Sequence, residues 1–340
     1  MILPLRLCRN ADALTANWRA LARMSGTAAC GAAIKADGYG IGATWVAGVL
    51  TEAGCRDFFV ATWAEAEALA PLGVPGLTVL HGVRAEDMDL ALSGIATPVL
   101  NTAAQAARWR EAGGGKCHVM LDTGINRLGM GEADVAGGAI DGLAIDVLMS
   151  HLASADEDVA LNEAQRVRFA AAAGAVPAGR YSLANSAGIA LGAGYAFDLT
   201  RPGLALYGGV PRPELAGVIG QVATPEAQVL QRRTVRAGET VGYNATWTAP
   251  TDTEVAILNY GYADGYFRGF SGKGAALLDG VALPLLGRVS MDLIAIDVGG
   301  HDVAEGDWLA IDFDIPRAAA LSGMSQYELL TGLGDRFERL

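Results

Sequence analysis

Lys35 closes a run of small and apolar residues, 27–34, and opens the glycine-rich turn Lys35-Ala36-Asp37-Gly38-Tyr39-Gly40-Ile41-Gly42. An amine placed where a buried strand meets a tight loop loses solvent. Its pKa falls, and the neutral, nucleophilic form needed for a Schiff base becomes accessible. The chain has three lysines and twenty-two arginines. That bias has an ordinary origin in GC-rich coding, so the position of Lys35 carries the argument and its rarity does not. Other polar residues follow apolar runs in the same way: His81, then Asp122, Thr123 and Arg127, then His151, then Asn185 and Ser186. The segment Leu199-Thr200-Arg201-Pro202-Gly203-Leu204, with 184–188, covers the last two βα turns. Ser186 with the amides of Gly203 and Leu204, and the Tyr39 hydroxyl, are donors of the kind that bind phosphate.

The elements that would position these residues are visible in the hydrophobic pattern. Between about residues 27 and 209, apolar runs (28–34, 57–61, 77–80, 97–100, 117–121, 145–150, 181–184 and 204–208) alternate with helix-period stretches (43–53, 63–69, 85–92, 103–112 and 161–173). Continuous apolar strands alternating with helices indicate a parallel sheet covered on both faces. Eight of them suit a (β/α)₈ TIM-type barrel, whose chemistry gathers at the C-terminal strand ends. Near residue 218 the texture changes to β-alternation punctuated by turns such as Arg236-Ala237-Gly238 and Leu278-Asp279-Gly280. The reading is therefore a barrel over 1–217 followed by a smaller, mostly antiparallel β-rich domain over 218–340. A hinge is expected at 211–220 and a closing helix at 325–333.

Composition narrows the class. A net charge of −12 without a Lys/Arg cluster opposes nucleic-acid and anionic-membrane binding. No apolar stretch approaches the ~18 residues of a membrane span. The opening residues 1–6 lack the pattern of a secretory leader, so a cytoplasmic location is expected. Cys8, Cys30, Cys55 and Cys117 are scattered and read as reduced thiols, and the four histidines lack metal-ligand spacing, so no metal is expected.

Lys35-Ala36-Asp37-Gly38-Tyr39-Gly40 resembles the pyridoxal-phosphate lysine motif of alanine racemases. The resemblance recurs in order along the chain: Asp122-Thr123-Gly124-Ile125-Asn126-Arg127-Leu128-Gly129, Ser150-His151-Leu152-Ala153, Ala184-Asn185-Ser186 and Arg201-Pro202-Gly203-Leu204-Ala205-Leu206-Tyr207-Gly208. It continues through Gly242-Tyr243-Asn244-Ala245-Thr246-Trp247, Gly261-Tyr262-Ala263-Asp264-Gly265-Tyr266, Gly287-Arg288-Val289-Ser290-Met291-Asp292 and Tyr327-Glu328-Leu329-Leu330.

The resemblance implies that Lys35 holds pyridoxal 5'-phosphate covalently and acts as one acid/base, with Tyr243 as the other on the opposite face of the cofactor. Arg201 matches the arginine on the pyridine nitrogen. Tyr39, Ser186, Gly203, Leu204 and Tyr327 match phosphate-binding positions, His151 a residue beside the ring, and Asn185 a nearby polar support. Arg127 and Met291 match substrate-binding positions; Tyr262, Arg268 and Arg288 match groups at the entrance, and Arg288 also suits an ordinary surface ion pair. A homodimer with shared active sites is implied, as is interconversion of L- and D-alanine to supply D-alanine for peptidoglycan. Alternatives are a racemase of serine or basic amino acids, or a cofactor-binding protein without turnover. The chain departs from the family pattern at Met120, where many members carry a lysine supporting the arginine, at Ile41 in place of a histidine, and at Ser290 in place of a cysteine.

Overall fold

A computed structural model describes residues 3–340, so Met1 and Ile2, part of the stretch read as lacking a leader, lie outside the described residues. The chain divides into two units. One is Asp12–Gly220; the other joins Gln221–Leu340 to the strand Leu5–Arg9.

The Asp12–Gly220 unit is the barrel. Its parallel strands run in chain order from Ala32–Ala33 through Phe58–Val60, Leu77–Val79, Thr97–Leu100, Cys117–Met120 and Ile145–Met149 to Arg180–Ser182. Strand residues such as Phe58, Phe59, Val60, Val99, Leu100, Val119 and Leu148 are fully buried, which accounts for uninterrupted apolar runs rather than alternation. The eighth strand is Leu199–Thr200, paired in parallel with Ala29–Cys30. Closure is made by Asp198 N–H to the Tyr181 carbonyl (3.0 Å) and Arg201 N–H to that of Ala184 (2.8 Å) on one side. On the other side Gly31 N–H donates to Thr200 O (2.9 Å) and Ala33 N–H to Pro202 O (2.8 Å). The run 204–208, expected as the last strand, is instead a 3₁₀ helix, Leu204–Tyr207, closed by Gly208. It is buried like a strand, so its apolar composition alone misled.

Two of the barrel helices begin where a threonine caps them, whereas Ala43–Ala53 and Ala160–Ala175 start without a side-chain cap. Thr62 accepts from Glu65 N–H, and Thr102 accepts from Gln105 N–H. The expected helix 85–92 forms as a 3₁₀ turn, Ala85–Asp87, running into Met88–Leu92. No described helix is long and apolar enough to cross a membrane.

The second unit is an antiparallel barrel of six strands: Thr253–Leu258, Ile294–Asp297, Val281–Leu286, Ala275–Leu278, Trp308–Ile311 and Ala223–Val235, the last returning to the first. Ala223–Val235 serves two neighbours because an irregularity between Val229 and Gln231 bends it. Its first half also pairs with Leu5–Arg9. Sequence order assigned that strand to the barrel; its hydrogen bonds lie here. One wall of this unit packs Val235, Val241, Ala249, Val255, Leu286 and Ala295 together. The closing helix is Gln326–Thr331 with Ser325 as its cap.

Candidate active site

Five barrel strands deliver the polar residues at their C-terminal ends. Lys35 follows Ala32–Ala33, and the next four residues, Ala36, Asp37, Gly38 and Tyr39, all have positive φ (53°, 51°, 62° and 55°). A left-handed turn costs roughly 1–2 kcal/mol for each non-glycine residue, so it persists only if its ends are tied. Gly38 N–H donates to Ile34 O (2.9 Å), Gly40 N–H to Ala36 O (2.9 Å), and Gly42 N–H to Asp37 O (2.8 Å). Ala36 N–H donates to Glu65 Oε1 at 2.6 Å. The Lys35 amine is pushed below the ordinary lysine range by burial and then by Arg127, with Glu65 opposing and Arg201 adding to the fall.

Arg201 is a buried cation, 6 % exposed, without an ion pair among the described residues. One Nη donates to Ser182 Oγ and the other to Ser150 O (2.6 Å). Among the described residues no hydrogen bond is made by its Nε. Burial lowers its pKa to about 10, which leaves it charged at neutral pH. His151 is held neutral: burial, then Arg201, Arg127 and Lys35, lower it to about 3. Four strand ends thus join in one electropositive cluster suited to an anionic ligand.

Arg127 is exposed and forms no hydrogen bond or ion pair among the described residues, while Met120 is buried in the strand before it. Its loop is nevertheless fixed. Asp122 Oδ1 accepts from Gly124, Ile125 and Asn126 N–H at 2.8, 3.0 and 3.1 Å. Arg168 donates to Thr123 O (2.9 Å). Gln165, fully buried, was not singled out in the sequence. Its Nε2 reaches Thr123 Oγ1 (3.3 Å) and His151 O (3.0 Å), and its Oε1 accepts from Ala153 N–H (2.9 Å). Thr123 Oγ1 in turn meets Ser150 Oγ at 2.7 Å. A glutamine in a surface helix carries no sequence signal of such a role.

Tyr39, Ser186 and Gly203 come together. Ser186 Oγ accepts from Gly203 N–H (2.9 Å) and Ala205 N–H (3.2 Å). A Cβ at Gly203 would lie 2.2 Å from the Tyr39 hydroxyl, so only glycine permits the approach. Tyr39 stacks on Tyr207 at 4.7 Å. Leu204 is buried at the start of the 3₁₀ helix. Asn185 Oδ1 caps Ser186–Ala190 through Gly188 N–H (2.8 Å). His81 is exposed and joins none of these groups.

The remaining residues lie in the antiparallel unit. Tyr243 is 68 % exposed, on a loop between Thr240–Val241 and Trp247–Thr248 in which Asn244 and Ala245 have φ of 63° and 47°. Met291 is 53 % exposed, and Tyr327 sits exposed on Gln326–Thr331. Arg268 lies 5.4 Å over the Tyr262 ring. Arg288 is exposed without an ion pair among the described residues. The loops of Tyr262 and Met291 are joined: Tyr262 N–H donates to Ser290 O and Ala263 N–H to Met291 O, both 3.0 Å. A Cβ at Gly261 would meet Met291 O at 2.2 Å.

Arg336 clamps both loops, with Nε and Nη2 on Asp264 (2.6 and 2.8 Å) and Nη1 on Asp292 (2.7 Å). The Asp264 side chain is 0 % exposed, whereas that of Arg336 is 48 % exposed. Arg336→Leu strands the carboxylate and should cost about 3–5 kcal/mol in urea unfolding. Asp264→Asn leaves a cation that water can reach, so its cost should be smaller. A larger loss from Asp264→Asn would contradict this ordering.

Residues 10–211 match the family described as "Alanine racemase, N-terminal domain", and residues 222–340 match "Alanine racemase, C-terminal domain". The chain is 43% identical to an alanine racemase of Acidiphilium cryptum, over 96% of each chain. It is also 43% identical to one of Methylobacterium nodulans, over 98% of this chain and 95% of the relative. The crystal structure of alanine racemase from Bartonella henselae with covalently bound pyridoxal phosphate superposes with a TM-score of 0.91 at 31% identity, covering 100% of this chain and 99% of the other.

Proposed function

Because the chain belongs to the alanine racemase family, we propose that it is a pyridoxal-phosphate-dependent enzyme that interconverts L- and D-alanine. The observation that carries this reading is the pairing of a depressed Lys35 amine with a buried Arg201 that has no carboxylate partner among the described residues and spends only its two Nη groups on Ser182 and Ser150. The donor set fits the cofactor. Arg201 would donate to the pyridine nitrogen, Lys35 would hold the aldehyde carbon, and Tyr39, Ser186, Gly203, Leu204 and Tyr327 would hold the phosphate, with His151 and Asn185 beside the ring. When bound, the cofactor supplies delocalisation that acidifies the substrate Cα–H.

Guanidinium keeps its proton and donates only a hydrogen bond, so Arg201 limits that delocalisation. Quick reprotonation is then favoured over transamination. Lys35 and Tyr243 would each take or deliver a Cα proton from opposite faces. Arg127 and the Met291 segment would hold the substrate carboxylate, and Tyr262, Arg268 and Arg288 would line the entrance. A phenol as exposed as Tyr243 in the single chain supports a homodimer in which a second copy supplies it. D-alanine for peptidoglycan is the product use that fits this reaction.

The test combines a label with an assay. Pyridoxal phosphate added to the protein should give absorbance near ~420 nm, and borohydride should fix the label on Lys35. Both enantiomers of alanine, serine, lysine and arginine are then compared. Alanine should show the highest kcat/KM; a colourless protein, or another amino acid in first place, overturns the proposal.

A further inference from the structure

The Thr62-Trp63-Ala64-Glu65 sequence forms a capping box at the helix Trp63–Leu69, with Thr62 N–H on Glu65 Oε2 (3.0 Å) and Glu65 N–H on Thr62 Oγ1 (3.3 Å). Capping uses one carboxylate oxygen, which also accepts from Ala61 N–H at 2.7 Å. The other oxygen leaves the helix altogether and accepts from the amide of Ala36, twenty-nine positions away in sequence, at 2.6 Å. Ala36 is exposed, so nothing in core packing requires that bond. It falls on the first residue of the left-handed turn that begins immediately after Lys35.

We infer that Glu65 is a positioning residue for Lys35. One oxygen is anchored at the end of the neighbouring strand, the other grips the peptide that follows the lysine, and the lysine backbone is thereby tied across two strand ends. The inference rests on the assignment of Lys35 as the cofactor lysine. The same carboxylate also sets the field at the amine: it opposes Arg127 and Arg201, the cations that face Lys35 from the loop after Cys117–Met120 and from the strand end after Leu199–Thr200.

Two substitutions separate reach from charge. Glu65→Gln keeps the length and removes the charge. Glu65→Asp keeps the charge and shortens the reach. The readout is acylation of Lys35 by acetic anhydride across pH, in full-length protein freed of cofactor, with Lys116 and Lys273 as internal references. Removing the carboxylate takes away a raising influence, so the neutral amine should persist to lower pH. The acid limb for Lys35 should therefore move down in Glu65→Gln and stay near its original position in Glu65→Asp. The limb reports the charge of Glu65; its grip on the lysine turn is reported by protection of the Ala36 amide, which capping alone does not supply.

A measurement on the unaltered protein stands beside this. The Ala36 amide should exchange with deuterium on the order of 10-fold more slowly than an unprotected exposed amide, whether or not the variants fold. An unmoved acid limb in folded Glu65→Gln, or rapid exchange at Ala36, overturns the inference. Failure of pyridoxal phosphate to label Lys35 in the unaltered protein instead sinks the assignment on which it rests, and the acetylation readout distinguishes the two.

Discussion

Lys35→Ala should abolish the visible absorbance of the lysine-bound cofactor and lower racemisation by at least about 10⁴-fold, because one side chain is both the covalent tether and a base. The fold should not suffer. Lys35 is a desolvated cation that feels Arg127 and Arg201, and removing it relieves repulsion. Thermal unfolding of the cofactor-free variant should therefore begin at the same temperature as that of the cofactor-free unaltered protein, or higher. A variant that keeps the absorbance, or that retains more than a small fraction of the rate, refutes the role of Lys35.

Tyr243→Phe removes a hydroxyl from a residue that is 68 % exposed, so stability should change by no more than about 0.5 kcal/mol. Its kinetic effect has a distinctive form. The enantiomers of alanine have equal free energy, so kcat/KM for racemisation must fall by the same factor in both directions. That factor should be about 10²–10⁴, the usual contribution of a positioned acid/base. Exchange of the Cα proton with deuterated solvent without inversion is free of this constraint. It should survive for the enantiomer whose Cα–H faces Lys35 and collapse for the other. Equal suppression of both exchanges would remove Tyr243 from the second face.

Mixing the two inactive variants probes the assembly. If each site takes Lys35 from one copy and Tyr243 from another, random hybrid dimers restore about a quarter of the native sites. No recovery after subunits have demonstrably exchanged would argue for sites built within one copy.

Much of the barrel can be read from composition because its strands are buried on both faces and so appear as unbroken apolar runs. The eighth strand escapes that rule. Leu199–Thr200 is two residues long, between Asp198 and Arg201, whereas the apolar 204–208 segment curls into a 3₁₀ helix. Apolar character reports burial without reporting the backbone path. The strand Leu5–Arg9 was equally invisible, since five residues carry no local sign of the sheet they join. Within the candidate site, Arg201 ends the strand that escaped and is legible only through its motif. The other residues on strand ends are legible through position: Lys35, Arg127, His151 and Ser186. Their supports are not. Gln165 looks like any polar helix residue, and the capping box announces only half of what Glu65 does. Long-range hydrogen bonds are made by geometry that no local period encodes.

Leu5–Arg9 lies between Ala223–Val235 and Glu338–Arg339, which it meets in parallel through Arg6 and Leu7. Arg9 also donates through its guanidinium to the carbonyls of Arg339 and Leu340. During synthesis the first of these strands must wait for more than two hundred residues before a neighbour appears, and longer still for the last. Asp12–Gly220 has all its strands before the other unit can close its sheet. Residues 5–9 therefore have neither of their sheet neighbours while Asp12–Gly220 is being made, and Ala223–Val235, which pairs with all five of them, arrives before Glu338–Arg339, which pairs with two.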